Sequence, residues 1–192
     1  MRNEYENEAF FQQYAQMSRS REGLSAAGEY GTVKHFPGHG GTSGDSHDGA
    51  VSTDKTLEEL MAEELVPFQS AIDGGVNFVM VGHISAPNVT GDNAPATLSK
   101  VLITDVLRGQ MGYNGIVITD AMNMEAITGF YNSDKAAVLA VTAGADMILM
   151  PADYNTAYTG ILNAVNDGTI TEERINESVT RIVKAKLAMG QP

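Results

Sequence analysis

The sequence predicts an α/β fold built on a parallel sheet. Four short segments, Gly31–Phe36, Val76–Ile84, Gly115–Thr119 and Asp146–Met150, read as buried strands. Segments of helical periodicity lie between them. Strands that alternate with helices join by right-handed crossovers into a parallel sheet. Two architectures satisfy this order: a doubly wound open sheet, or part of a (β/α)8 barrel. A complete barrel needs eight strands and typically ~250 residues. Four strands in 192 residues therefore favour the open sheet on pattern alone.

Each element carries its own signal. VNFVMVGHI, GIVIT and DMILM are short and continuous, and glycine or a Gly-Ala-Asp turn precedes them, which separates them from buried helical segments. Thr56-x-x-Glu59 is a capping-box pattern, and Leu57, Leu60, Met61, Leu65, Phe68 and Ile72 follow as an apolar stripe. Pro67 inside that stripe should kink or divide the helix. A second helix is predicted over Leu98–Met111, with Gly112 near its end, and a third over roughly Ser133–Ala143. The last starts at Thr171 and carries Ile175, Val179, Ile182 and Val183, with Glu172 and Glu173 favourable in its first turn. No repeat or linker divides the chain, so residues 1–192 read as one domain. The stretches 37–53 and 85–96, rich in Gly, Pro, Ser and Asn, read as functional loops.

Charge and composition exclude several functions. A net charge of −12 leaves nothing to neutralise a run of phosphates, so neither nucleic acid nor an anionic membrane surface is an expected partner. The absence of cysteine rules out disulfides and thiolate metal sites. The first residues, MRNEYENEAFFQQY, lack the apolar core of a signal peptide, and no apolar run approaches the ~20 residues that span a bilayer. A cytoplasmic location is expected if Met1 is the native start.

The chemistry is concentrated in two segments. Residues 34–47 read KHFPGHGGTSGDSH, and residues 116–127 read IVITDAMNMEAI. Both lie where a predicted strand runs out into a loop, the place where α/β folds keep their reactive groups. Asp120 follows GIVIT, and its structural alternative is an N-cap for a helix starting at Ala121. His35, His39, His47 and Asp45 lie close enough together to suggest zinc, but the spacing H-x3-H-x7-H fits no defensible metal motif.

In this order, the two segments closely resemble the catalytic domain of family 3 glycoside hydrolases, in the β-N-acetylhexosaminidase branch. The resemblance covers about residues 22 to 190. It implies a partial (β/α)8 TIM barrel, about its last five βα units, with parallel strands and outer helices. It implies a retaining glycosidase that releases β-linked N-acetylglucosamine from cell-wall fragments or related glycans, with a carbohydrate as partner and no metal or cofactor. Retention needs a nucleophilic carboxylate and a proton donor near the departing oxygen. By the resemblance, Asp120 is the nucleophile. His47 is the acid/base, oriented by Asp45 two residues earlier. A carboxylate bonded to one ring nitrogen fixes the tautomer and raises the basicity of the other. Imidazole titrates near ~6.5, which suits a group that gives and then takes a proton. Gly40, Gly41, Gly44 and Gly49 suggest a mobile loop around this pair. Lys34 and His35 correspond to residues that bind sugar hydroxyls at the innermost subsite, and His83 is expected to line the same pocket. His39 is assigned to shaping its loop, and Met122 and Met124 to core packing more than to sugar contact.

Two further readings stay open beside hydrolysis: a glycoside phosphorylase of the same family, and a non-catalytic half-barrel serving assembly or binding. The early strands of such a barrel, which carry further sugar ligands, are absent from the sequence. The chain is therefore expected to have little or no activity alone, and to form a homo-oligomer through open barrel edges.

Overall fold

The computed structural model describes residues 30–39 and 51–188. Three strands form a parallel sheet in the order β1-β3-β5: β1 (Thr32–Phe36), β3 (Phe78–Val81) and β5 (Ile116–Thr119). A second parallel pair, β2 (Val51–Ser52) with β4 (Ile84–Ser85), extends beyond it. The predicted fourth strand is an extended segment rather than a regular one. It joins β5 through a single parallel bridge, Ile118 to Met147. Beyond that bridge the Leu149 amide donates to the Thr119 hydroxyl at 2.9 Å, so a side chain takes the place of the next rung.

The β1 register is irregular at an informative place. Val33 pairs with Val79 and Phe36 with Val81, so β1 fits one residue more than β3 between these rungs. A bulge re-aims the side chains it carries, and those in question are Lys34 and His35. The Lys34–His35 and Phe36–Pro37 peptides are cis.

Helices cover the sheet. The capping box forms as predicted: the Thr56 hydroxyl accepts from the Glu59 amide at 3.3 Å, and the Glu59 carboxylate accepts from the Thr56 amide at 2.8 Å. Pro67 does divide the helical stretch. α1 runs Leu57–Ala62 and α2 runs Val66–Asp73, with the proline in the first turn of α2, where its missing N–H leaves no bond unmade. Lys55 braces this junction through Glu63 and Glu64, each at 2.7 Å, and these bonds raise its pKa. A short α3 (Pro87–Thr90) and a 3-10 turn (Ala96–Leu98) lead into Val101–Gln110, which is wound as a π-helix where an ordinary helix was predicted. Then follow α4 (Glu125–Thr128), α5 (Ser133–Ala143), α6 (Tyr154–Asn166) and α7 (Glu172–Ala188). α6 had no counterpart among the predicted elements. None of the described helices is long and apolar enough to cross a membrane.

The core lies between sheet and helices. Phe36, Leu60, Val79, Val81, Leu102, Ile103, Leu107 and Val117 are fully buried in it. A buried charge cluster fastens the amino end of the strands. The Asp146 carboxylate is inaccessible to solvent and accepts from Arg108 at 2.6 Å, Ser178 at 2.7 Å, Arg181 at 3.1 Å and the Val117 amide at 3.0 Å. Arg108 and Arg174 also donate to the Gly144, Val141 and Ala145 carbonyls, which satisfies acceptors at the buried carboxyl end of α5.

Candidate active site

The carboxyl ends of β1, β3 and β5 bring three of the predicted residues together. Asp120 is one residue past β5. Its amide donates to Val81 O at 2.9 Å, which carries the β5–β3 ladder one step beyond the strand. Two residues later, the Met122 amide donates to Leu149 O at 2.9 Å. The backbone around Asp120 is thus pinned on both sides, to β3 and to the 146–149 segment. The carboxylate is only 16% exposed. Its Oδ1 accepts from the Ala121 amide at 2.8 Å, and its Oδ2 faces His35 Nε2 at 3.5 Å. Asp120 does not cap a helix. Residues 121–124 form a turn, and α4 begins at Glu125.

His35 reaches Asp120 across the width of β3. Its ring also meets the His39 ring edge-on, with centroids 6.1 Å apart. Lys34 precedes it in the bulge and is exposed. Asp45 and His47 lie outside the described residues. Met122 is buried in the core, as expected of it, and Met124 is half-buried at the start of α4.

His83 sits lower, beneath the Asp120 loop. It is 1% exposed. Nδ1 lies 2.8 Å from the Thr97 hydroxyl and Nε2 lies 3.0 Å from the Ala121 carbonyl. Burial lowers its pKa, opposed by the Ala121 bond and by the nearby Asp120 charge. The sequence reading missed Thr97 altogether. A threonine in PATLS gives no signal of its own, because its role depends on folding back 14 residues onto His83.

A cavity of about 620 Å³ opens at this same end of the sheet, lined in part by Ser52, His83, Ser85, Asn93, Phe130 and Tyr131. A larger one, about 810 Å³, lies at the opposite end, where Asn77 and Asn114 precede their strands and Arg181 and Lys184 project from α7. Chemistry in parallel α/β folds sits at the carboxyl ends of strands; the smaller cavity lies at that end beside His83, with neither Asp120 nor His35 in its lining. Among the described residues, no group of three His, Asp or Glu side chains could hold a metal ion.

A parallel sheet with outer helices, and a carboxylate fixed at the carboxyl end of β5 with an imidazole facing it, define the class: a parallel α/β protein with its candidate chemistry at the strand ends. Residues 8–185 match the glycosyl hydrolase family 3 N terminal domain, and the chain belongs to that family. A β-hexosaminidase of Chromobacterium violaceum is 39% identical over 130 residues, which cover 68% of this chain and 36% of the relative. A glycoside hydrolase family 3 β-N-acetylglucosaminidase from Paenibacillus sp. superposes with a TM-score of 0.87 at 43% identity, over 90% of this chain and 34% of that one. The β-glucoside phosphorylase BglX superposes with a TM-score of 0.83 at 29% identity, over 88% and 32%. The chain spans about a third of the length of these relatives. The sheet is accordingly part of a (β/α)8 barrel and not the doubly wound open sheet that strand counting favoured. Four parallel segments of that barrel fall within the described residues.

Proposed function

We propose that this chain carries the nucleophile and the acid/base of a retaining β-N-acetylhexosaminidase site. The observation that supports it best is Asp120. Its position is fixed by Val81 O, one carboxylate oxygen is held by the Ala121 amide, and the other faces His35 at the open end of the sheet. A nucleophile needs one oxygen aimed at the anomeric carbon and a backbone that does not move as the bond forms. His35 and Lys34 contact the hydroxyls of the sugar. The carboxylate attacks C1, and the leaving oxygen takes a proton from His47, whose other ring nitrogen is oriented by Asp45. Water then enters as His47 takes its proton back, and the sugar leaves with retained configuration.

The test, in a form that carries the early barrel strands, is turnover of aryl β-N-acetylglucosaminides, with mass spectrometry of the protein after a fluorinated slow substrate. Asp120→Asn should abolish both turnover and the mass increase. His47→Ala should slow poor leaving groups most and activated ones least, since acid assistance matters only when the leaving oxygen is basic. Equal losses across the leaving groups would remove His47 from that role, and turnover in Asp120→Asn would overturn the assignment. The likeness to BglX supports a second reading, in which phosphate replaces water and the product is the sugar 1-phosphate. Turnover that requires phosphate and yields that ester would select it.

A further inference from the structure

His83 ends up in a different environment from the other strand-end residues. It is buried, and both ring nitrogens are engaged within the protein. The protons can be placed. The Ala121 carbonyl only accepts, so Nε2 carries a hydrogen. Nδ1 faces the Thr97 hydroxyl, which also lies 2.7 Å from Gly82 O and 3.2 Å from Val81 O. The hydroxyl has one proton and three candidate acceptors. Val81 O already accepts from the Asp120 amide at 2.9 Å, and Gly82 O from the Thr97 amide at 3.2 Å. The proton can therefore go to Nδ1 without leaving a buried carbonyl unpaired. A neutral ring with hydrogen on Nε2 satisfies every group, in agreement with the lowering of its pKa by burial.

That ring holds the far side of the peptide on which Asp120 depends. The Ala121 amide donates to Asp120 Oδ1, and the carbonyl of the same residue accepts from His83. With the Asp120 amide fixed on Val81 O, residues 120 and 121 have anchors before and after the carboxylate. We propose that His83 is a positioning residue for Asp120, acting through Ala121 with its tautomer set by Thr97, and not a ligand of the sugar. The inference rests on the reading of Asp120 as nucleophile.

The kinetic test, in a form that carries the early barrel strands, uses His83→Ala and His83→Gln, whose side-chain amide can reach the place of Nε2. His83→Ala is expected to lower kcat by roughly 100-fold, the usual effect of a misplacement near 1 Å, with KM within about twofold of the wild type. His83→Gln is expected to recover at least about tenfold of that loss, because its N–H restores the bond to Ala121. A raised KM with kcat unchanged would make His83 a sugar ligand and overturn the proposal. Equal loss in both variants would reduce it to packing and do the same. A second measurement does not depend on turnover. Imidazole ¹⁵N shifts of the whole chain at pH 7 should show a neutral ring with hydrogen on Nε2. The Asp120 and Ala121 amide shifts should move in His83→Ala and return in His83→Gln. If a form carrying the early barrel strands hydrolyses nothing but these shifts behave so, the hexosaminidase reading fails and the positioning contact stands. A ring protonated on Nδ1 alone, or Asp120 and Ala121 shifts indifferent to both variants, would overturn the contact itself.

Discussion

Asp146→Ala should be strongly destabilising, though it lies outside the candidate site. The carboxylate is wholly buried and collects Arg108, Arg181, Ser178 and the Val117 amide within 3.1 Å, with Arg174 at 3.7 Å. These three guanidinium groups are each less than a quarter exposed, so solvent screens them weakly. Removing the one anion leaves like charges facing each other. Breaking a buried pair by deleting one partner costs about 3–5 kcal/mol, against a total stability of about 5–15 kcal/mol for a typical domain. Deleting one arginine is a different case. Arg181→Met loses a single 3.1 Å bond to Asp146 and also relieves repulsion within the cluster, so its cost should stay below about 1.5 kcal/mol. Urea unfolding of the two variants reads both values. The reasoning fails if Asp146→Ala lies within about 1 kcal/mol of the wild type, or if Arg181→Met is equally damaging.

Three other outcomes follow from the same structure. Gly144 closes α5 at φ 119°, and a Cβ there would lie 2.8 Å from Thr104 Oγ1 and 3.0 Å from Ile103 Cγ2, so Gly144→Ala should cost more than about 1 kcal/mol in the same urea assay. His83 has a folded pKa below its unfolded value, so the unfolded chain takes up the proton first as pH falls. Stability should therefore be lost below about pH 6.5, and the fall in Tm from pH 7.5 to 5.5 should be smaller in His83→Gln than in the wild type. Among the described residues β1 has a strand neighbour on one side only, and we propose that this edge pairs with a second copy of the chain. Sedimentation should then show a dimer, and a stable folded monomer would contradict it.

What could be read from the sequence, and what could not, divides along physical lines. Local rules held where the chain obeys them locally: the capping box at Thr56, the break at Pro67, the strand β1, and apolar runs for β3 and β5. They missed α6 because its apolar residues are not confined to one face. Ala157, Ile161, Ala164 and Val165 line its inner side at i, i+4, i+7 and i+8, but Tyr154, Tyr158 and Leu162 on the exposed side blur the period. The run at 146–150 is apolar enough for a strand, but Thr119 takes the Leu149 amide with its side chain, and no sequence pattern announces such a substitution. Strand counting favoured an open sheet because it sees only the strands present, and closure into a barrel depends on strands beyond those counted. The site shows the same division. Strand ends located Lys34, His35, His83 and Asp120, since chemistry in these folds collects there. Position along a strand could not say which way each ring faces. His35 turns toward Asp120 from a bulge, while His83 turns down onto Thr97 and Ala121. The two histidines look equivalent in sequence, and the hydrogen-bond partners available at each depth separate them. A half-exposed imidazole beside a carboxylate can exchange that partner for a substrate hydroxyl. A buried one whose nitrogens are both bonded can act only through the groups it already holds.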